Sequence, residues 1–130
     1  MATLDKVEYA ELICMSNFSF LKGASHPEEL IHQAHSLGYK ALAITDECSL
    51  AGIVRAHAAA DQCKLKLIVG SQFVFSAGSG FAGERVVLLV KNIHGYKHLC
   101  RLITQARRRT TKGEYQFFKE DLGDCPPGLL

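Results

Sequence analysis

His94 and His98 stand four residues apart, the spacing with which one helical face can grip a metal ion. No glutamate lies between them in an H-E-x-x-H arrangement, so ordinary helix-surface histidines are the better reading. His26, His32, His35 and His57 also fall within or near expected helices. Cys14 and Cys48 would be reactive only with a lowered thiol pKa and an aligned base, and the sequence shows neither. The run Arg107-Arg-Arg-Thr-Thr-Lys112, with Lys97 and Arg101 upstream, is the most basic stretch. Phosphate contacts dominate affinity for nucleic acid, which makes Arg107, Arg108 and Arg109 candidate DNA-backbone ligands. The competing reading is a helix C-terminus whose cations complement the macrodipole. No aromatic residues interleave the arginines to stack bases, and this favours the second reading. Gly78-Ser-Gly-Phe-Ala-Gly83 spells G-x-G-x-x-G, yet it lies between two expected strands rather than opening a helix. It reads as a loop, not a dinucleotide site.

Hydrophobic periodicity supplies the elements that must hold these residues. Val7 to Cys14 reads as a strand that becomes apolar towards its end. Ser25-His-Pro-Glu28 is a capping-box pattern with Pro27 at the first helical position. Leu30, Ile31, Ala34 and Leu37 then recur at helical spacing, and Gly38 supplies the stop. Ala41 to Thr45 is a short buried strand. An alanine-rich helix runs from Leu50 to about Gln62, with Ile53 and Val54 facing inward. Leu65 to Val69 is the third strand, continued by Gln72 to Phe75. Ser76 to Glu84 has three glycines and no periodicity, which predicts a hairpin loop. Val86 to Val90 is an apolar strand. A helix from about Gly95 to Arg108 puts Tyr96, Leu99, Ile103 and Ala106 on one face. Lys112 to Leu130 is polar and then Pro/Gly-rich, with a short helix near Phe117. Strands alternating with helices predict βα units and a mostly parallel sheet.

The 130 residues suffice for one modest domain, and 48% hydrophobic with 22% charged is an ordinary soluble balance. No apolar run approaches membrane-spanning length, and no basic region precedes an apolar one at the N-terminus. Membrane and secreted classes are therefore not expected. The five cysteines are an odd number without Cys-x-x-Cys spacing, which favours reduced thiols in a cytosol. The net charge of +2 is too small to decide on a nucleic-acid partner.

Four ordered stretches carry a family resemblance. Glu11-Leu-Ile-Cys-Met-Ser-Asn-Phe-Ser-Phe-Leu-Lys-Gly-Ala-Ser25 resembles the motif L-H-x-H-S/T-x-x-S-x-L-D-G-A of the PHP (polymerase and histidinol phosphatase) domain of C-family bacterial DNA polymerases. Ala41-Leu-Ala-Ile-Thr-Asp-Glu-Cys-Ser-Leu-Ala-Gly52 resembles the second motif, A-I-T-D-H, and Leu67-Ile-Val-Gly-Ser-Gln-Phe73 the third, I-x-G-x-E. Arg85-Val-Val-Leu-Leu-Val-Lys-Asn92, followed by Gly95-Tyr96 and Leu99, is similar to the fourth, H-L-x-L-L-A-K-N-x-x-G-Y-x-N-L. The variants Ser-Asn-Phe-Ser-Phe-Leu and Thr-Asp-Glu-Cys-Ser-Leu-Ala-Gly look most like the error-prone branch. The resemblance implies an α/β fold, the N-terminal part of a distorted β/α barrel of about seven mostly parallel strands when complete. Each motif starts at or just after the C-terminal end of an expected strand, the face on which βα barrels build active sites.

In active members of the family, a cluster of His, Asp, Glu and Cys holds metal ions that activate water for phosphodiester hydrolysis. Here the ligands are largely replaced. Ile13 and Met15 stand at two histidine positions, and Lys22 where Asp is frequent. Glu47 replaces a histidine, Gln72 a glutamate, and Arg85 a histidine. Asp46 and Glu47, with Gln72, could form a weak site for a single Mg²⁺ or Mn²⁺. The preferred alternative makes Asp46 a cap of the following helix and Glu47 an ion-pair partner, because Lys22 and Arg85 bring rival cations. Arg85 is expected to reach Glu47 or Asp46, since a guanidinium suits a carboxylate fork.

A complete barrel needs about 250 residues, so residues 1–112 are expected to be the N-terminal half of a PHP domain. Residues 113–130 would start the next barrel segment, with the chain ending mid-domain. The resemblance implies a non-catalytic, structural and interaction module, without its own cofactor, of a cytoplasmic bacterial error-prone polymerase. The polymerase body would be its partner, DNA would be reached through the parent, and Mg²⁺ would sit in the parent's polymerase site. Self-association of this segment is expected, because apolar strands such as Val86-Val-Leu-Leu-Val90 leave uncovered faces and edges. The alternatives are a metal-dependent PHP phosphoesterase or 3′-5′ exonuclease, and a small nucleic-acid-binding module.

Overall fold

A computed structural model describes residues 7–78, 80–124 and 126–130; Met1–Lys6, Ser79 and Cys125 lie outside the described residues. In chain order the elements are β1 (Ala10–Glu11), α1 (Pro27–Ser36), β2 (Ala41–Glu47), α2 (Ile53–Cys63), β3 (Lys66–Val74), β4 (Arg85–Leu89), α3 (Ile93–Arg108) and α4 (Lys119–Leu122). The sheet order is β1-β2-β3-β4. The first two pairings are parallel and β3–β4 is antiparallel. The expected α/β architecture with mostly parallel strands is the one observed.

β2 is buried along Ala41–Asp46, as an apolar strand covered on both faces must be. One core lies where α1 and α2 pack on the sheet, around Ile31, Leu42, Ile44, Ala56 and Ala60. A second gathers Phe73, Leu88, Leu99, Leu102, Phe117 and Leu129. Phe117 stacks on Phe73 with ring centroids 4.3 Å apart. The segment after residue 112 is thus tied into the same body. Leu89 and Leu130 exchange backbone hydrogen bonds of 2.8 and 2.9 Å, which covers part of the free edge of β4.

Several boundaries differ from the sequence reading. The strand expected over Val7 to Cys14 is paired only at Ala10 and Glu11. Beyond it the Cys14 N–H turns to the Thr45 hydroxyl, and Leu12 and Ile13 are exposed. The α1 cap sits one residue later than expected: the His26 N–H donates to Glu29 at 2.9 Å, and Pro27 is still the first helical residue. Val54 points to solvent while Ile53 is buried, because the Ala56–Ala59–Ala60 face governs the packing of α2. In α3, Leu99, Leu102 and Ala106 face the core, Ile103 packs at its margin, and Tyr96, expected on the same face, is exposed. Asn92 accepts from the Gly95 N–H at 3.0 Å, so the helix begins at Ile93 rather than Gly95.

Candidate functional site

β2 and β3 are parallel, so Asp46, Glu47 and Gln72 reach the same end of the sheet, with Glu47 level with Gln72. β4 runs the other way, so its first residue, Arg85, arrives at that end too. Loop residues 16–25 fold over it. Asp46 is 1% exposed and fully engaged. It accepts from the Ser16 N–H and Ser16 Oγ at 2.7 Å each and from Ser19 Oγ at 2.8 Å. Ser19 Oγ in turn accepts from the Glu47 N–H. Gly23 makes the loop possible: a Cβ there would lie 2.1 Å from the Ser16 carbonyl oxygen.

Glu47 has both oxygens committed. Lys22 Nζ bonds Oε2, and the Tyr115 hydroxyl donates to Oε1 at 2.7 Å. Partial burial alone would raise this carboxyl. The hydrogen bonds from Lys22 and Tyr115, with the charges of Lys22 and Arg85, hold it below its ordinary value. Tyr115 is pushed well above the usual phenol range by burial and by the Glu47 carboxylate. Its oxygen also accepts from the Val74 N–H at 2.8 Å. Gln72, 1% exposed, donates to the Thr45 carbonyl at 2.6 Å and accepts from Arg85 at 2.5 Å.

The expected Arg85 pair with Glu47 or Asp46 is therefore corrected. β4 is hydrogen-bonded to β3 and not to β2, so Gln72 comes first within Arg85's reach and Lys22 takes Glu47. Asp46 does not cap α2 either; its acceptors are used by the two loop serines. Phe18, Phe20, Lys22, Glu47, Arg107 and Tyr115 help to line an open cavity of about 450 Å³ over this network.

Behind it, Cys48 adopts a left-handed backbone, φ 46°. Its N–H donates to the Gln72 carbonyl and its own carbonyl accepts from Arg107 at 3.1 Å. A non-glycine residue in this region marks strain that the surroundings must hold. Burial pushes the Cys48 thiol up to about 11, and burial also raises Cys14, so neither has the thiolate character of a nucleophile.

A sequence profile of the PHP domain matches residues 11–125. The chain belongs to the PHP domain family. It is 60% identical over 124 residues to an error-prone DNA polymerase of Vibrio vulnificus, covering 94% of this chain and 12% of that protein. An error-prone DNA polymerase of Pseudomonas fluorescens is 57% identical over 122 residues, with 94% and 11% covered. One of Ralstonia nicotianae is 54% identical over 123 residues, with 95% and 11% covered. The chain thus spans only 11–12% of the length of these relatives. Among solved structures, it resembles one described as a metal-dependent phosphoesterase from Bifidobacterium adolescentis. The TM-score is 0.58 at 22% identity, over 79% of this chain and 34% of that one. An amidohydrolase from Chromobacterium violaceum, solved with sulfate and no metal, gives 0.58 at 24% identity, over 76% and 33%. These two likenesses establish the fold.

The side chains of this PHP domain do not fit the family's metal cluster. Ile13 is 56% exposed and offers no donor, and Met15 offers only a thioether. The lone pairs of Asp46 and Glu47 are taken by hydroxyl, amide and ammonium donors, and two cations stand beside them. Among the described residues no three His, Cys, Asp or Glu side chains converge as a metal site requires. His98 faces the Pro127 carbonyl at 3.1 Å and His94 is exposed. The three candidate DNA-binding arginines divide. Arg107 is spent on the Cys48 and Glu114 carbonyls, and Arg109 makes a fork with Asp121 at 2.5 and 2.6 Å. Of the three, Arg108 alone is exposed without a side-chain hydrogen bond or ion pair among the described residues.

Sequence reasoning missed Tyr115 and the two serines. Ser16 and Ser19 lie inside the first motif, three apart, before a buried Asp that needs donors. That pattern was available in the sequence. Tyr115 stands 68 residues from Glu47, and no local signal links them.

Proposed function

We propose that this chain is a non-catalytic PHP module of an error-prone DNA polymerase, serving as a structural and interaction element of the polymerase body. The observation that carries this reading is the Lys22–Glu47–Tyr115 network. In this reading it stands where the family would assemble metal ligands, and it engages both oxygens of Glu47. The names of the relatives support a polymerase parent. Its DNA synthesis across damaged template, with deoxynucleoside triphosphates and Mg²⁺, would be the work of segments outside these residues. In this reading DNA is met through the parent, in the bacterial cytoplasm, and residues 113–130 lead into the remainder of the barrel. No helix among the described residues is long and apolar enough to cross a membrane.

Elemental analysis after dialysis, with an assay on a model phosphodiester in added Mn²⁺, tests the proposal. The expected result is no stoichiometric Zn, Mn or Fe and no hydrolysis above the rate of a Glu47→Gln, Asp46→Asn control. Stoichiometric metal with hydrolysis lost in that control would establish the phosphoesterase or exonuclease alternative instead.

A further inference from the structure

The net charge of +2 conceals a strong segregation. Residues 85–113 hold eight of the fifteen Lys and Arg and none of the thirteen Asp and Glu. The rest of the chain therefore carries seven cations against thirteen carboxylates. α3 forms the centre of the basic stretch. Its buried face is Gly95, Leu99, Leu102 and Ala106. At 100° per residue, Lys97, Arg101, Thr104 and Arg108 fall on the opposite face, and all four are exposed. No ion pair found among the described residues uses Lys97, Arg101 or Arg108. A shallow groove of about 630 Å³ runs along Arg101, Thr104, Gln105 and Arg108. The stripe from Lys97 to Arg108 is about 16 Å long at 1.5 Å per residue.

We propose that this face of α3, through Lys97, Arg101 and Arg108, docks the phosphate backbone of duplex DNA without regard to sequence. A cationic row with the exposed Gln105 amide beside it matches a regular row of phosphate oxygens; the Thr104 hydroxyl donates to the Cys100 carbonyl at 2.9 Å. A protein partner fits poorly. Protein interfaces centre on buried aromatic, Met or Arg anchors and are depleted in Lys, and the outer row of Lys97, Arg101, Thr104 and Arg108 contains no aromatic or aliphatic side chain, although Cys100 lines the groove beside it. A single strand also fits poorly, because the row presents no aromatic side chain on which a base could stack. This inference does not depend on whether the metal site is dead. The stripe lies on a helix face remote in sequence from Asp46 and Glu47. It also differs from the tripeptide that sequence suggested: Arg107 and Arg109 are paired within the chain, Arg109 at the edge of the groove, and the outer row runs through one arginine of the three.

The test is fluorescence anisotropy of a short labelled duplex of random sequence with the 130-residue chain, titrated in salt. Three phosphate contacts predict a slope of log K against log salt of about −3, or roughly forty-fold weaker binding between 50 and 200 mM. The triple variant Lys97→Ala, Arg101→Ala, Arg108→Ala should bind at least ten-fold more weakly and lose most of the slope. Alanine favours helix, and a far-UV melt confirms that α3 is intact. Arg55→Ala, on α2, should leave binding unchanged. Failure of the wild type to bind at low salt overturns the proposal, as does full binding by a folded triple variant. Equal competition by poly-glutamate overturns the nucleic-acid assignment, and tighter binding of a labelled single strand overturns the duplex assignment.

Discussion

Replacing Glu47 tests whether the Lys22–Glu47–Tyr115 network holds this end of the sheet together. Glu47 Oε1 accepts the Tyr115 hydroxyl at 2.7 Å in a half-buried setting. A hydrogen bond to a charged acceptor of this kind contributes about 1.5–3 kcal/mol. The Lys22 ammonium is nearly half exposed, 45% against 13% for Glu47, so its share is about 1 kcal/mol or less. Glu47→Ala should therefore cost about 2–4 kcal/mol, whereas Lys22→Met should cost about 1 or less. For a domain of this size, about 4 °C per kcal/mol gives a fall of about 8–16 °C in the thermal midpoint of Glu47→Ala.

The pH dependence gives the sign. The folded carboxyl lies below its ordinary value, so its stabilisation is fully present above the unfolded value of 4.5 and is lost as pH falls through the lowered one. Denaturant melts of the wild type and Glu47→Gln should differ at pH 7 and converge below about pH 4.5. A gap that persists unchanged to pH 3 would show that charge contributes nothing here. A Lys22→Met cost equal to that of Glu47→Ala would show that the ammonium, not the phenol, holds the site together.

Other positions give independent checks. Asp46→Ala strands the donors of two serines in a fully buried place and should cost about 2–4 kcal/mol by urea unfolding, with earlier proteolysis of loop 16–25. Gly70→Ala would set a Cβ 2.7 Å from the Leu88 carbonyl oxygen, backbone that cannot swing aside, and should cost about 1–3 kcal/mol in the same assay. Light scattering should find the chain self-associating at micromolar concentration. Only two residues of β1 pair with β2, and Val7, Ile13, Phe20 and Leu21 beside it are more than half exposed. Leu12→Lys with Ile13→Lys should restore a monomer, and a wild type that is already monomeric would refute the edge argument.

The α/β class and every helix of more than one turn were legible because apolar residues recur with clean periods, as in Leu30, Ile31 and Ala34. Boundaries were less legible where a side chain competes with the backbone. Thr45 intercepts the Cys14 N–H and so ends β1 early, and Asn92 starts α3 two residues sooner than Gly95 suggested. Within the site, the departures from the family motif could be read position by position. The partners that Asp46, Glu47 and Gln72 take in the fold could not. Choosing between Arg85 and Lys22 for Glu47 depends on which strand lies between them, which is a property of sheet order and not of charge. The basic run misled for a related reason. Three consecutive residues on a helix point in three directions, so Arg107 and Arg109 turn to the body and only Arg108 joins the outer row.

The partners of the carboxylates show how this end of a PHP scaffold is held together by side chains. A metal site gathers negative and lone-pair donors whose mutual repulsion the cation offsets, so removing the cation alone would leave buried acceptors uncompensated. Here each remaining acceptor has its own compensation. Asp46 is held by two hydroxyls and an amide, and Glu47 by an ammonium and a phenol. The glutamate position became Gln72, which brings its own donor to the Thr45 carbonyl and offers its oxygen to Arg85. The loop 16–25, the ends of β2 and β3, the start of β4 and the 113–117 segment are joined by these bonds. A metal would join the same elements and could also activate water in an open coordination position, whereas these bonds supply only the joining. What the site retains is the geometry of a barrel mouth. In it every carboxylate oxygen of Asp46 and Glu47 already has a donor from the protein.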